Sequence, residues 1–142
     1  MKVLIADDDK LIRKGLRMII EEGAPYCEII GEAFNGRQAL EMIQLEKPDL
    51  LITDIKMPLM DGVELVKTVG SMGIKIRSIV LSGFDEYRYV RETMKSGVID
   101  YLLKPVKDEV LIELLSKTCE DIRQEKQKEQ QLNLLTVKWQ KV

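Results

Sequence analysis

The feature that most constrains this chain is a rhythm: short apolar runs alternate with amphipathic stretches from residue 3 to about residue 118. Residues 3–6 (Val-Leu-Ile-Ala) are apolar and stop at Asp7-Asp8-Asp9, after which Ile12, Leu16, Ile19 and Ile20 recur at helical spacing. Residues 28–33 read as a second strand, and Asn35-Gly36 as a turn before a helix carrying Ala39, Leu40 and Ile43. Beyond Pro48, residues 50–53 are apolar without alternation, the pattern of a strand covered on both faces. Asp61-Gly62 opens a helix with Leu65, Val66, Val69 and Met72 on one stripe. Residues 79–81 predict a fourth strand, and residues 85–95 a fourth helix presenting Tyr87, Val90 and Met94 and ended by Gly97. Residues 100–103 predict a fifth strand. A fifth helix then starts near Lys107, with a stripe of Val110, Leu111, Leu114, Leu115, Thr118 and Ile122.

Strict strand–helix alternation means parallel strands joined by right-handed crossovers, with helices on both faces. The economical α/β arrangement is a flavodoxin-like, doubly wound, five-stranded parallel sheet of order 2-1-3-4-5. The 142 residues suit one such domain, assigned to 1–120. Residues 121–142 are expected to be a helical extension or a linker toward a further, effector domain. Residues 120–131 hold four acids, three bases and four glutamines around Ile122 alone, which favours a frayed helix. Apolar residues return at Leu132, Leu134, Leu135, Val137 and Trp139, and Leu132, Leu135, Trp139 and Val142 fit a heptad. That spacing keeps open a signalling helix that pairs with a second copy, although two heptads are short for a coiled coil.

Composition removes whole classes of chemistry. The chain has no histidine, so an imidazole base, a Ser-His triad and a His-ligated zinc are excluded. Any phosphohistidine in its chemistry belongs to another molecule. A formal charge of −2 offers no polycationic face to nucleic acid or anionic lipid. Cys27 and Cys119 form no CxxC pair and suit a reducing compartment. No apolar run approaches the ~20 residues of a membrane helix, and the N-terminus turns acidic at Asp7 before a secretory core develops. A cytoplasmic protein is expected.

Ligands of doubly wound sheets bind beyond the carboxyl ends of the strands, where strand order reverses. There the sequence places Asp7-Asp8-Asp9 after strand one, Asp54 after strand three, Ser82 after strand four and Lys104-Pro105 after strand five. Two carboxylates ~4 Å apart repel by roughly 4 kcal/mol at an effective dielectric of 20, a penalty that a divalent cation removes. Hard oxygens without His or paired Cys favour Mg²⁺. Mg²⁺, one ammonium and one hydroxyl together describe a phosphoryl-transfer site. Taken singly the residues are ordinary: Asp8 or Asp9 as a helix cap, Ser82 as a turn hydroxyl, Lys104 as a surface amine. Their convergence on successive strand ends is what carries information.

These residues also resemble a family. Residues 4–9 (Leu-Ile-Ala-Asp-Asp-Asp), 51–62 (Leu-Ile-Thr-Asp-Ile-Lys-Met-Pro-Leu-Met-Asp-Gly), 81–83 (Leu-Ser-Gly) and 100–105 (Asp-Tyr-Leu-Leu-Lys-Pro) are similar to the receiver domain of bacterial two-component response regulators. The resemblance covers roughly residues 2 to 120. It implies that Asp54 is the phosphoacceptor for a sensor histidine kinase. It implies Mg²⁺ on Asp8, Asp54 and the Lys56 backbone carbonyl, with Asp7 acting through water. Lys104 would grip a phosphoryl oxygen, with its bond to Pro105 cis. Ser82 would bond another phosphoryl oxygen as Tyr101 swings inward, and Gly83 would leave the approach open. The implied output is a changed face of fourth helix, fifth strand and fifth helix, through which relatives form homodimers.

Two other functions stay open at this level. One is a Mg²⁺-dependent phosphatase with an aspartate nucleophile, although Lys56 stands where such enzymes carry a second acid. The other is an unphosphorylated dimerisation module. Residues 81–87 and 100–106 further resemble receivers of AraC-type helix-turn-helix transcription regulators, which implies transcriptional output. The chain itself carries no DNA-reading helix, so DNA would be bound only through an effector domain.

Overall fold

The computed structural model describes residues 1–83, 85, 86 and 98–140, with the side chains of Ile99 and 137–140 outside the description. Five strands, β1 (Lys2–Ala6), β2 (Glu28–Ala33), β3 (Leu50–Asp54), β4 (Arg77–Ser82) and β5 (Val98–Leu103), form one parallel sheet of order β2-β1-β3-β4-β5. Helices α1 (Lys10–Gly23), α2 (Gly36–Glu46) and α3 (Gly62–Ser71) follow the first three strands, and α4 (Asp108–Gln140) closes the described chain. The order and the parallel pairing are those read from the sequence. Tyr87, Tyr89, Val90, Met94 and Gly97, and with them most of the helix expected at 85–95, lie outside the described residues.

Side chains alternate across the strands, so one apolar run supplies two cores. Leu4, Ala6, Leu51 and Val80 face Ala39 and Ile43 of α2 and Leu65, Val66 and Val69 of α3. Val3, Ile5, Leu50, Ile52, Ile79 and Leu81 face Leu16 and Ile20 of α1 and Leu111 and Leu115 of α4.

Each of the first three helices begins where a short polar side chain satisfies a free backbone N–H. Asp9 accepts from Leu11 N, Asn35 from Gln38 N and Asp61 from Glu64 N. Asp9 rather than Asp8 therefore caps α1.

Two expected core positions are corrected. Met72 is 47% exposed, because α3 ends at Ser71 and Met72 N–H closes back on Thr68 O as a cap. Val110 is 45% exposed, because the buried stripe of α4 runs through Leu111, Leu115, Thr118 and Ile122 and position 110 lies about 100° off it. The strands also extend beyond their apolar segments; Arg77 and Ser78 join β4 opposite Leu50 and Leu51 because their backbone groups pair regardless of side chain.

α4 is continuous past Ile122 and rests on the amino edge of the sheet. Arg77 meets Glu125 at 2.6 Å, Lys75 meets Glu129 at 3.2 Å, and Lys126 meets Asp49 at 3.6 Å. Asp49 also accepts from Lys2 N at 2.8 Å, tying β1 into the same cluster. Beyond it, Leu132 and Leu135 are exposed.

Candidate functional site

Parallel pairing sets the carboxyl ends of four strands side by side. Thr53 is in register with Ala6, Asp54 with Leu81, and Ser82 with Leu103. Asp7, Asp54, Ser82 and Lys104 follow directly from those pairings at one edge. Lys104 N–H donates to Ser82 O at 2.9 Å, which carries the chain past β4, and the Lys104–Pro105 bond is cis, as expected.

The carboxylates converge. Oxygens of Asp7, Asp8 and Asp54 lie within 4.8 Å of one another. Asp7 is fully buried, Asp54 nearly so, and Asp8 is exposed. Lys104 Nζ reaches Asp54 Oδ1 at 2.9 Å and Asp7 Oδ2 at 3.4 Å. Backbone donors orient the two acids: Ile55 N–H meets Asp54 Oδ1 and Asp9 N–H meets Asp7 Oδ1, each at 2.9 Å.

The electrostatics follow from burial. Burial pushes the Asp7 carboxyl above its ordinary value and the Asp54 charge adds to this, while the Asp9 N–H and Lys104 oppose it. Burial would depress the Lys104 ammonium, but hydrogen bonding and attraction to Asp54, with help from Asp7, outweigh it and hold the ammonium above its usual range. Two of the three acids, Asp7 and Asp54, thus share the Lys104 ammonium. The Ser82 hydroxyl is buried at the same edge with no hydrogen-bond partner among the described residues, a costly arrangement that an incoming acceptor would relieve.

Lys56 lies two residues beyond Asp54, its ammonium exposed and paired with Glu86 at 2.8 Å. Tyr101 on β5 is half-buried, in register with Val80, and packs against the core under α2 and α3. Among the described residues, nothing lies within 4 Å of the position a Cβ on Gly83 would take.

A match to the response regulator receiver domain spans residues 3–116. The chain belongs to the response regulator receiver family. This receiver domain is 42% identical over 124 residues to the Bacillus subtilis transcriptional regulatory protein YesN, covering 87% of this chain and 34% of that protein. It is 41% identical over 105 residues to the Staphylococcus aureus transcriptional regulatory protein HptR, covering 74% of this chain and 41% of the relative. The chain therefore spans between a third and a half of the length of these relatives. Among solved structures, the REC domain of AraT from Geobacillus stearothermophilus superposes with a TM-score of 0.80 at 39% identity, covering 88% of this chain and 97% of that one. A two-component transcriptional regulator AraC from Clostridium phytofermentans superposes with a TM-score of 0.77 at 30% identity, over 90% of this chain and 98% of that one.

Two kinds of support for the receiver site escape sequence reasoning, one from a pair of glycines and one from a buried cation. Spacing marks Gly62 only as a helix opener, but a Cβ there would overlap the Asp54 carbonyl oxygen, and Gly62 N–H donates to Ile55 O at 2.7 Å. The loop after β3 thus folds flat against the residue it serves. Gly36 meets the Met60 carbonyl in the same way, so α2 holds that loop from outside. The other is Arg13, buried on α1 and donating to Asp7 O at 2.6 Å. A signal for it exists in the chain: positions 13, 16 and 20 lie on one helical stripe, with a cation among apolar neighbours.

Proposed function

We propose that this receiver accepts a phosphoryl group on Asp54 from a phosphohistidine of a sensor histidine kinase, and that the modification switches an output. The observation that carries the reading is the pairing of Asp54 with Lys104 at 2.9 Å inside a cluster of three carboxylates, at the same edge as a buried hydroxyl without a partner among the described residues. Asp54 Oδ1 is occupied by Ile55 N–H and Lys104, which leaves Oδ2 to act as nucleophile. Oδ2 attacks phosphorus, the bond from phosphorus to the imidazole nitrogen breaks, and its electron pair leaves on that nitrogen. Lys104 stabilises the charge spread over the transferring oxygens.

The donor set suits Mg²⁺: Asp8, Asp54 and the Lys56 carbonyl would hold the ion and Asp7 would act through water, and the ion would neutralise charge around the reacting phosphorus. The Ser82 hydroxyl then gains the acceptor it lacks, and Tyr101 moves into the space this frees. The switched face comprises residues 85–95, β5 and the start of α4, and a homodimer through that face is the proposed consequence. In the longer protein the output is transcription, with DNA held by an effector domain outside this chain, in the cytoplasm. Residues 1–120 form the receiver unit and 121–142 lead toward the effector. Any activity of the chain itself is limited to its own phosphorylation and dephosphorylation, since Lys56 supplies no acid where a phosphatase would need one.

Intact mass after incubation with acetyl phosphate and Mg²⁺, beside Asp54→Asn, tests this. One added phosphoryl group that requires Mg²⁺ and is absent from the variant is the expected result. Steady release of phosphate without an adduct would point to the phosphatase. Neither adduct nor phosphate, with a phosphohistidine donor as well, would leave the unphosphorylated module.

A further inference from the structure

Arg13 is a cation on the buried side of α1 that the proposed phosphoryl transfer does not use. A buried guanidinium carries a desolvation cost and is stable only when its donors are met. Here Nη1 donates to the Asp7 carbonyl at 2.6 Å, Nε donates to Glu32 Oε1 at 3.3 Å, and the guanidinium stands 5.3 Å from the centre of the Phe34 ring. Glu32 is in turn fixed by Arg17 Nε at 2.9 Å. The whole arrangement ends on one backbone oxygen.

That oxygen matters because of the peptide it belongs to. A peptide unit is planar, so fixing the Asp7 carbonyl also fixes the N–H and Cα of Asp8. The remaining groups of Asp7 are engaged as well: its N–H with Ala33 O at 3.0 Å, Oδ1 with Asp9 N–H at 2.9 Å, and Oδ2 with Lys104 at 3.4 Å. With the carbonyl held, the Asp7–Asp8 peptide has no free rotation left. Asp8 is exposed, yet its carboxylate is aimed at Asp7 and Asp54.

We infer that Arg13 is a positioning residue for the metal-binding acid pair, directing the Asp8 carboxylate through the peptide plane without touching the ion or the phosphoryl group. Glu32 is its anchor. The inference rests on the Mg²⁺ reading above and names what in this chain tunes that affinity. A lysine at position 13 has an ammonium in place of the planar fork and meets Asp7 O or Glu32, not both.

The test titrates Mg²⁺ by calorimetry into the parent chain, Arg13→Ala, Arg13→Lys and Glu32→Gln. Acetyl phosphate adduct formation is followed by mass across Mg²⁺ concentrations, with folding checked by circular dichroism. Arg13→Ala is expected to weaken the Mg²⁺ Kd about tenfold or more, in the range found for residues that orient metal ligands, while the rate at saturating Mg²⁺ stays within about threefold. Arg13→Lys recovers part of the loss, and Glu32→Gln shows a smaller one. A Kd within twofold of the parent in the folded variants, or a loss confined to the saturated rate, overturns the inference. Should Arg13→Ala fail to fold, Arg13→Lys and Glu32→Gln decide by the same criterion. A parent that neither binds Mg²⁺ nor forms an adduct overturns the site reading itself, and the inference with it. In a parent that does both, unchanged variants overturn the role of Arg13 alone.

Discussion

At the amino edge of the sheet, charges are answered in pairs: Arg77 by Glu125, Lys75 by Glu129, Lys126 by Asp49. At the carboxyl edge, Asp7, Asp8 and Asp54 crowd together, Lys104 meets only Asp7 and Asp54, and Ser82 keeps a buried hydroxyl without a partner among the described residues. The same five strands end in both places, so the difference lies in what each edge is asked to do. The amino edge only has to hold α4, and exposed pairs at modest energy suffice. The carboxyl edge keeps a crowding of carboxylates that a cation would relieve and a buried hydroxyl that an incoming acceptor oxygen would satisfy. Local conflict of this kind is expected where function opposes stability.

Backbone space gives the sharpest way to break that contrast. Gly62→Ala would drive a Cβ into the Asp54 carbonyl and is expected to cost roughly 2–3 kcal/mol, read as a lower urea midpoint. Gly70, at the amino-edge end of α3, has nothing among the described residues within 4 Å of a Cβ, so Gly70→Ala is expected to gain about 0.5–1 kcal/mol. Equal effects of the two substitutions would mean that the carboxyl edge is no tighter than the other.

Charge comes next in size. Because burial raises the Asp7 carboxyl, the folded chain binds that proton more tightly than the unfolded chain. Asp7 therefore favours folding below the unfolded value of 3.8, and that support is lost as pH rises through its higher folded value. Without metal, Asp7→Asn should then unfold about 2–4 °C higher at pH 7, the shift that ~1 kcal/mol gives a chain of this size, and the gain should fade as the medium is acidified below both values. A gain that is the same at every pH would show that the burial of charge is not its source.

The smallest effect belongs to the amino edge. Glu125→Gln removes the partner of Arg77, but the pair is exposed enough that the cost should stay below about 1 kcal/mol and shrink further in high salt. Thermal melts at low and high ionic strength measure it. A larger, salt-independent loss would mean that the clasp on α4 is more than a surface network.

Much of this is legible from residue order. Alternation of periods yields the parallel α/β class, with the order 2-1-3-4-5 as its economical arrangement, and Asp54, Ser82 and Lys104 can be placed at strand ends because a strand's end is where its apolar run stops. Asn35 and Asp61 signal helix starts by cap chemistry, which is local. Met72 and Val110 are misplaced by periodicity because helical spacing names a stripe without saying where the helix ends or which part of the stripe the sheet covers. The choice between Asp8 and Asp9 as cap is also beyond spacing, and only the backbone conformation at residue 9 decides it.

The sequence by itself determined the parallel α/β class and the set of chemical groups at the carboxyl edge, because each depends on periodicity within a few neighbouring residues, and the order 2-1-3-4-5 followed as the economical arrangement of such units. Only the tertiary structure decided how those groups bear on one another. Lys104 meets Asp7 across 97 positions, Arg13 grips the carbonyl of the acid pair, and Lys75 meets Glu129 across 54 positions. Such contacts are fixed by how helices settle on the sheet, and packing at that range leaves no period in the chain to read.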